Sequence, residues 1–180
     1  MVLLDKKPAL PEINNHHSTW IINMKVFAAL FVTLLLTTGC TSTQPNNIHL
    51  KNCEKTLQEY ITYRDAQSAA DYRSVFTDNA TFTIPALKIS LTGADDIVLR
   101  QQQAISKTKS MHMMTSANIK HIKSNLYEAN SYFVLHQQAI GQPHAPTTIF
   151  NGTYEDTLIV QNSRCLIKSR QVNIIKKQVW

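Results

Sequence analysis

Glycine is scarce: four residues in a chain of 180. None belongs to a Gly-rich loop of the kind that lets backbone N–H groups cradle phosphate, so nucleotide-binding motifs of that type are excluded. Cysteine is scarcer still. Cys40, Cys53 and Cys165 are the only three, and no C-x-x-C pair occurs. That excludes a disulfide-dense scaffold and a zinc ribbon. The seven histidines never fall at H-x-x-x-H spacing, and His49, His121 and His144 are dispersed. No metal site is expected, and no cofactor. Ser and Cys nucleophile motifs are absent. The net charge is +6, yet no block of five Lys or Arg occurs. Scattered basic residues do not make a phosphate-tracking groove, so no nucleic-acid partner is expected. No apolar run reaches the length of a membrane-spanning helix. What remains is a chain with 43% hydrophobic residues, enough for one domain with a real core.

The longest apolar run lies early, in "MKVFAALFVTLLLTTGC", 24–40. Lys25 supplies a positive start, residues 26–36 are apolar, and small residues lead to Cys40. This is the plan of a signal peptide. Its end resembles the lipobox of bacterial lipoproteins: Gly39-Cys40 matches the last two positions, and Leu36 stands one place early. The resemblance implies that residues 24–39 are removed and that Cys40 carries the lipid. Counting from Met24 gives a signal of ordinary length, so Met24 is read as the start and residues 1–23 as an extension upstream of it. Residues 40–50 are polar and read as a tether. Thr41 stands where an Asp would resemble an inner-membrane retention signal. The expected location is therefore the cell envelope, lipid-anchored at the periplasmic face of the outer membrane.

From residue 51 to 180 the pattern is that of a folded domain. Leu57, Tyr60, Ile61 and Arg64 recur at helical spacing. Ala69, Tyr72, Val75 and Phe76 suggest a second, shorter helix. A strand follows in "TDNATFTI", interrupted by Pro85. Residues 91–105 read as a helix with Thr92 as N-cap and Asp95 and Asp96 in its first turn, where negative charge suits the dipole. After residue 108 four strand candidates follow, "MHMMTSANIKHI", "LYEANSYFVLHQQAI", "TTIFNGTYEDTLIV" and "CLIKSRQVNII". Their short separators imply antiparallel hairpins. Helices first and strands afterwards make an α+β fold.

Five phrases, "YITYRD", "FTDNATFT", "HMMTSANI", "GTYEDTLIV" and "CLIKSR", stand in the order found in SnoaL-like domains of the NTF2-like superfamily, which this chain resembles over residues 50–172. The resemblance implies a cone of N-terminal helices packed on a curved antiparallel sheet. Within the superfamily the pattern is similar to scytalone dehydratase-like lyases, which place an Asp on the first helix and two His on neighbouring strands. Asp65, His112 and His136 match those positions, with Gln137 also fitting the last. Arg64 stands where the family has a pocket Tyr, although Tyr63 is adjacent. Ser116 replaces the strand Asn. Cys165 takes the place of a Trp in the last strand. With Cys40 lipidated, Cys53 and Cys165 are left in an oxidising compartment. A bond between them is one expectation, and two separate buried thiols are the other.

Period two puts His112, Met114, Ser116 and Asn118 on one strand face, and Tyr132, Val134, His136 and Gln138 on one face of the next. If both faces point inward, they and Tyr154 line a cavity suited to a small, partly polar aromatic or hydrophobic ligand. A carboxylate beside an imidazole there suits proton transfer: abstraction next to a carbonyl, or elimination of water. The simpler alternative is a pair of ordinary core histidines. Two functions stay open: a cofactor-independent lyase (dehydratase) or isomerase acting on a small hydrophobic or hydroxyaromatic molecule, and a non-catalytic ligand- or protein-binding module of the envelope. Asp156 and Arg170 are expected to pair across strands. The resemblance also implies a homodimer through the open sheet face.

Overall fold

Helix α1 carries its buried side chains at helical spacing: Cys53, Leu57 and Tyr60 are all within 1% of full burial. It spans Pro45–Asp65 in the computed structural model, which describes residues 45–142 and 144–180. The segments expected as an upstream extension and a signal peptide, and Cys40, lie outside the described residues. The helix starts inside the stretch expected as a tether, with Pro45 as its first residue, a position where the missing N–H costs nothing. Among the described residues no helix is long and apolar enough to cross a membrane.

The rest of the chain follows as helix α2 (Ala69–Ser74), strand β1 (Phe76–Ile84), a 3-10 turn (Pro85–Leu87), β2 (Ile89–Thr92) and helix α3 (Ala94–Ile105). Then come β3 (Thr108–Met114), β4 (Asn118–Lys123), β5 (Leu126–Ala139), β6 (Thr148–Gln161) and β7 (Arg164–Val179). The result is an α+β, NTF2-like cone: three helices packed on a curved seven-stranded sheet. The strand order is β2-β1-β7-β6-β5-β3, with β4 also on β5.

Three local expectations need correction. The sheet is mixed, because β1 runs parallel to β7 while the other pairs are antiparallel. Parallel neighbours need a long connection, and here the connection is most of the domain, which spacing between adjacent strands cannot reveal. The first of the four strand candidates is two strands, β3 and β4, broken at Thr115–Ala117 and both paired to β5. Thr92 ends β2 rather than capping α3; Gly93, at φ 101°, takes the cap. Only glycine enters that region without strain.

The long hairpin β5–β6–β7 supplies the wall against which the helices pack. Along β5 burial alternates, with Tyr127, Ala129, Ser131, Phe133 and Leu135 turned inward. Phe133 lies opposite Gly152 and stacks on Tyr154, ring centroids 4.5 Å apart. A Cβ on Gly152 would come within 2.7 Å of the Phe133 ring and 2.2 Å of the Asn173 carbonyl oxygen. The glycine is therefore what lets an aromatic ring lie flat across β6. On the other side of the core, Cys53 of α1 and Cys165 of β7 form a disulfide with Cα atoms 4.9 Å apart. Beside it, the Thr56 hydroxyl donates to the Cys165 carbonyl at 2.7 Å.

Candidate functional site

Asp65 is the last residue of α1, where a carboxylate opposes the helix dipole. Contacts with β3 hold it there. The main-chain N–H of His112 donates to Asp65 Oδ2 at 2.6 Å, and the His112 ring places Nδ1 at 2.5 Å from Asp65 Oδ1. The carboxylate thus fixes both the backbone and the ring of the same residue. Accepting from Nδ1–H sets the tautomer, leaving the Nε2 lone pair free to accept. The His112 side chain has no exposed surface. Burial, with the Arg64 guanidinium next, lowers its pKa to about 4 against the opposing pull of Asp65. At neutral pH the ring is uncharged.

Arg64 follows the same helical stripe as Leu57 and Tyr60, so its long side chain enters the core one turn beyond the tyrosine. Its Nη1 donates to His112 Nε2. Its Nε donates to Gln101 Oε1 at 2.8 Å, and Gln101 Nε2 returns a bond to the Arg64 carbonyl at 3.1 Å. This ring of bonds locks α1 to α3 and fixes the direction of the guanidinium.

The guanidinium borders a cavity of about 130 Å³ between the helices and the inner face of the sheet. Phe82, Leu91, Ile97, Leu135, Phe150 and Val172 supply apolar wall, and Tyr60 and Tyr154 close one end. Gln101 and Gln137 bring amides, and exposed Arg100 stands at the rim. The charged residues lining it are Arg64 and Arg100, without a carboxylate. Behind Tyr60 and Tyr154 lies a second guanidinium. Arg170 packs against both rings, 3.8 and 4.3 Å from their centroids, and is held in two parallel bonds by Asp156 at 2.6 and 2.7 Å. Burial works against its charge, but Asp156 outweighs it and keeps the pKa above its usual range. The cross-strand Asp156–Arg170 pair therefore exists, and it is wholly buried.

Of the residues singled out from sequence, Asp65 and His112 meet directly, and Tyr154 lines the cavity. His136 does not join them. It lies opposite Met111 on β3, on the outer face of the sheet, while its neighbour Gln137 turns inward and donates to Ser110 Oγ at 3.3 Å. Tyr132 shares that outer face and is 63% exposed. The segment "YFVLHQQ" is apolar on both faces, so alternation alone does not say which set faces in, and a one-residue change of register exchanges them. Ser116 is exposed in the link between β3 and β4. Tyr63 faces a small crevice between the helices, its hydroxyl donating to Glu59 at 3.2 Å. The signal for Arg64 was present in the spacing of the α1 stripe. Gln101, one turn beyond buried Ile97 on α3, carried a similar one. Among the described residues no three His, Cys, Asp or Glu side chains gather as a metal site would need.

Comparison with known proteins agrees with this architecture. Solved structures with the same fold include a candidate scytalone dehydratase from Novosphingobium aromaticivorans, with TM-score 0.68 and 14% identity over 75% of this chain and 89% of that one. A candidate aromatic ring hydroxylase from the same organism gives TM-score 0.66 at 13% identity, over 76% and 95% of the two chains. A type 3 hexachlorocyclohexane dehydrochlorinase from Novosphingobium barchaimii gives 0.65 at 7%, over 73% and 89%. At such identities the likeness concerns the fold alone. A sequence comparison with curated proteins finds no match. The family model described as "SnoaL-like domain" matches residues 50–171, more than half of the chain, and the chain belongs to that family.

Proposed function

We propose that this is a lipid-anchored envelope protein whose SnoaL-like domain binds a small hydrophobic or hydroxyaromatic molecule and moves a proton on it, as a cofactor-independent lyase or isomerase. One observation carries the reading: Asp65 grips both the backbone and the ring of His112 directly behind a guanidinium that borders an apolar cavity. A carboxylate that orients an imidazole prepares its Nε2 as a general base. His112 is the proton acceptor in this scheme, Asp65 the group that orients it, and Tyr154 and Gln137 part of the ligand's surroundings. A cavity of about 130 Å³ suits a ligand built on one ring; an apolar cavity of roughly 150 Å³ accepts benzene.

Anchoring through Cys40 rests on the lipobox pattern, and the Cys53–Cys165 bond is of the kind that persists in exported proteins. A homodimer through the outer sheet face fits the exposure there of Met111, Met113 and Tyr132.

A second reading has its own support. Arg64 occupies the Nε2 of His112, which suits a domain that binds its ligand without reacting. Exchange of solvent deuterium separates the two. The full chain is incubated in D2O with one-ring ketones, both neutral (cyclohexanone) and acidic (4-oxocyclohexanecarboxylate), and mass spectrometry reads deuterium gained next to the carbonyl. Exchange that vanishes in His112→Gln supports catalysis. Ring ligands that raise the melting temperature without exchange support binding alone. If no ring compound stabilises the chain, the cavity is not a ligand site.

A further inference from the structure

The two guanidiniums of the core are treated differently. Arg170 is neutralised by Asp156 through two charge-assisted bonds. Arg64 is not: among the described residues it forms no ion pair, and its hydrogen bonds go to an amide oxygen and to a neutral imidazole nitrogen. Asp65, the adjacent carboxylate, lies on the far side of the imidazole ring and spends both oxygens on His112. A partly buried cation held by neutral acceptors alone is short of a counter-charge. Arg64 also borders the cavity, exposed Arg100 stands at the same rim, and no Asp or Glu lines the wall. Apart from these two cations and the amides of Gln101 and Gln137, most of the lining is aliphatic or aromatic.

Resting on the ligand-binding reading above, we infer that the cavity takes a one-ring molecule carrying a carboxylate, that Arg64 pairs with that carboxylate and Arg100 steers it in, and that this pairing draws the guanidinium away from His112. The planar fork of arginine matches the two oxygens of a carboxylate. Arg64 is thereby both the specificity element and the cover on the His112 lone pair. A ligand without the anion leaves the cover in place. A ligand with it exposes Nε2 beside the ring it has just bound. The bound anion also supplies the missing charge next to the imidazole, which raises its basicity when a proton has to be moved.

The test compares benzoate with its neutral relatives methyl benzoate and benzyl alcohol on the full chain, by thermal shift and calorimetric titration at low salt. Benzoate is expected to bind at least ten-fold more tightly than either neutral compound. Arg64→Gln is expected to remove that preference, and Arg100→Gln to weaken benzoate binding mainly by slowing association, with the effect shrinking as salt rises. Should Arg64→Gln fail to fold, histidine NMR on the unchanged protein gives a second measurement. Benzoate should move the His112 Nε2 resonance and raise the ring's pKa, and benzyl alcohol should not. Equal binding of acid, ester and alcohol overturns the carboxylate proposal while leaving the cavity a ligand site. Preferred binding of benzoate with no change at His112 overturns the uncovering step. Absence of binding by all three overturns the cavity reading and this proposal together.

Discussion

The Nε2 atom of His112 and the Nη1 atom of Arg64 face each other directly, so the basic atom of the Asp65–His112 pair is covered by a cation from the neighbouring residue in sequence. Adjacent positions on a helix point about 100° apart. That is what allows Asp65 to reach β3 from the side while Arg64 reaches the same imidazole from within the core. A substitution on α1 at either position thus acts on one ring.

The buried imidazole makes stability depend on pH in a defined window. The folded-state pKa of His112 is about 4, against about 6.5 for an unfolded histidine. Between those values the unfolded chain binds the extra proton, so stability is complete above pH 6.5 and falls as the pH drops towards 4. The loss attached to this residue is on the order of 3 kcal/mol. Urea midpoints measured from pH 7.5 to 4 should fall more steeply for the native sequence than for His112→Gln. Parallel curves would show that the ring is not held neutral.

Asp156 and Arg170 form the most buried ion pair among the described residues, each side chain without exposed surface. Removing one partner strands the other in the core, at a cost of roughly 3–5 kcal/mol. Asp156→Leu is expected to lower stability by that order. Arg170→Met, which keeps a long side chain against the Tyr60 and Tyr154 rings, should strand the carboxylate in the same way. The double change Asp156→Leu, Arg170→Met should recover much of the loss. Thermal melts of the single and double variants form a cycle whose coupling energy reads the pair directly. Additive losses would mean that the pair is not coupled.

The disulfide closes a long stretch of chain, with Cys53 and Cys165 separated by 112 positions. In the chain-entropy account such a loop contributes about 4–5 kcal/mol by restricting the unfolded state. Cys53→Ala with Cys165→Ala is expected to lose between about 2 and 5 kcal/mol, and reductant should have no further effect on that variant. Intact mass with and without reductant checks the bond itself: a gain of about 2 Da on reduction, from two added hydrogens. An unchanged mass would leave two thiols.

The Asp65–His112 pair was legible because both residues sit in motif-like phrases whose order matches the family. The α+β layout was legible from helical spacing followed by alternation. Other features were not. His136 and Gln137 are neighbours on a strand whose two faces are equally apolar, and only pairing with β3 and β6 decides which points inward. Arg64 looked like a departure from a tyrosine, and its role depends on reaching a histidine 48 positions away. The parallel pairing of β1 with β7 joins segments from opposite ends of the domain, and no local pattern encodes it.

The position of Cys53 has a mechanical consequence. It lies eleven and twelve residues before Arg64 and Asp65 on the same helix. A pull entering α1 from its N-terminal end is handed over at Cys53 to β7, in the middle of the sheet. The load path leaves the helix three turns before the site, so the last turns of α1 stay slack under such a pull. Whether this cysteine pair is bonded or reduced then decides whether a pull on the start of α1 reaches the imidazole at all.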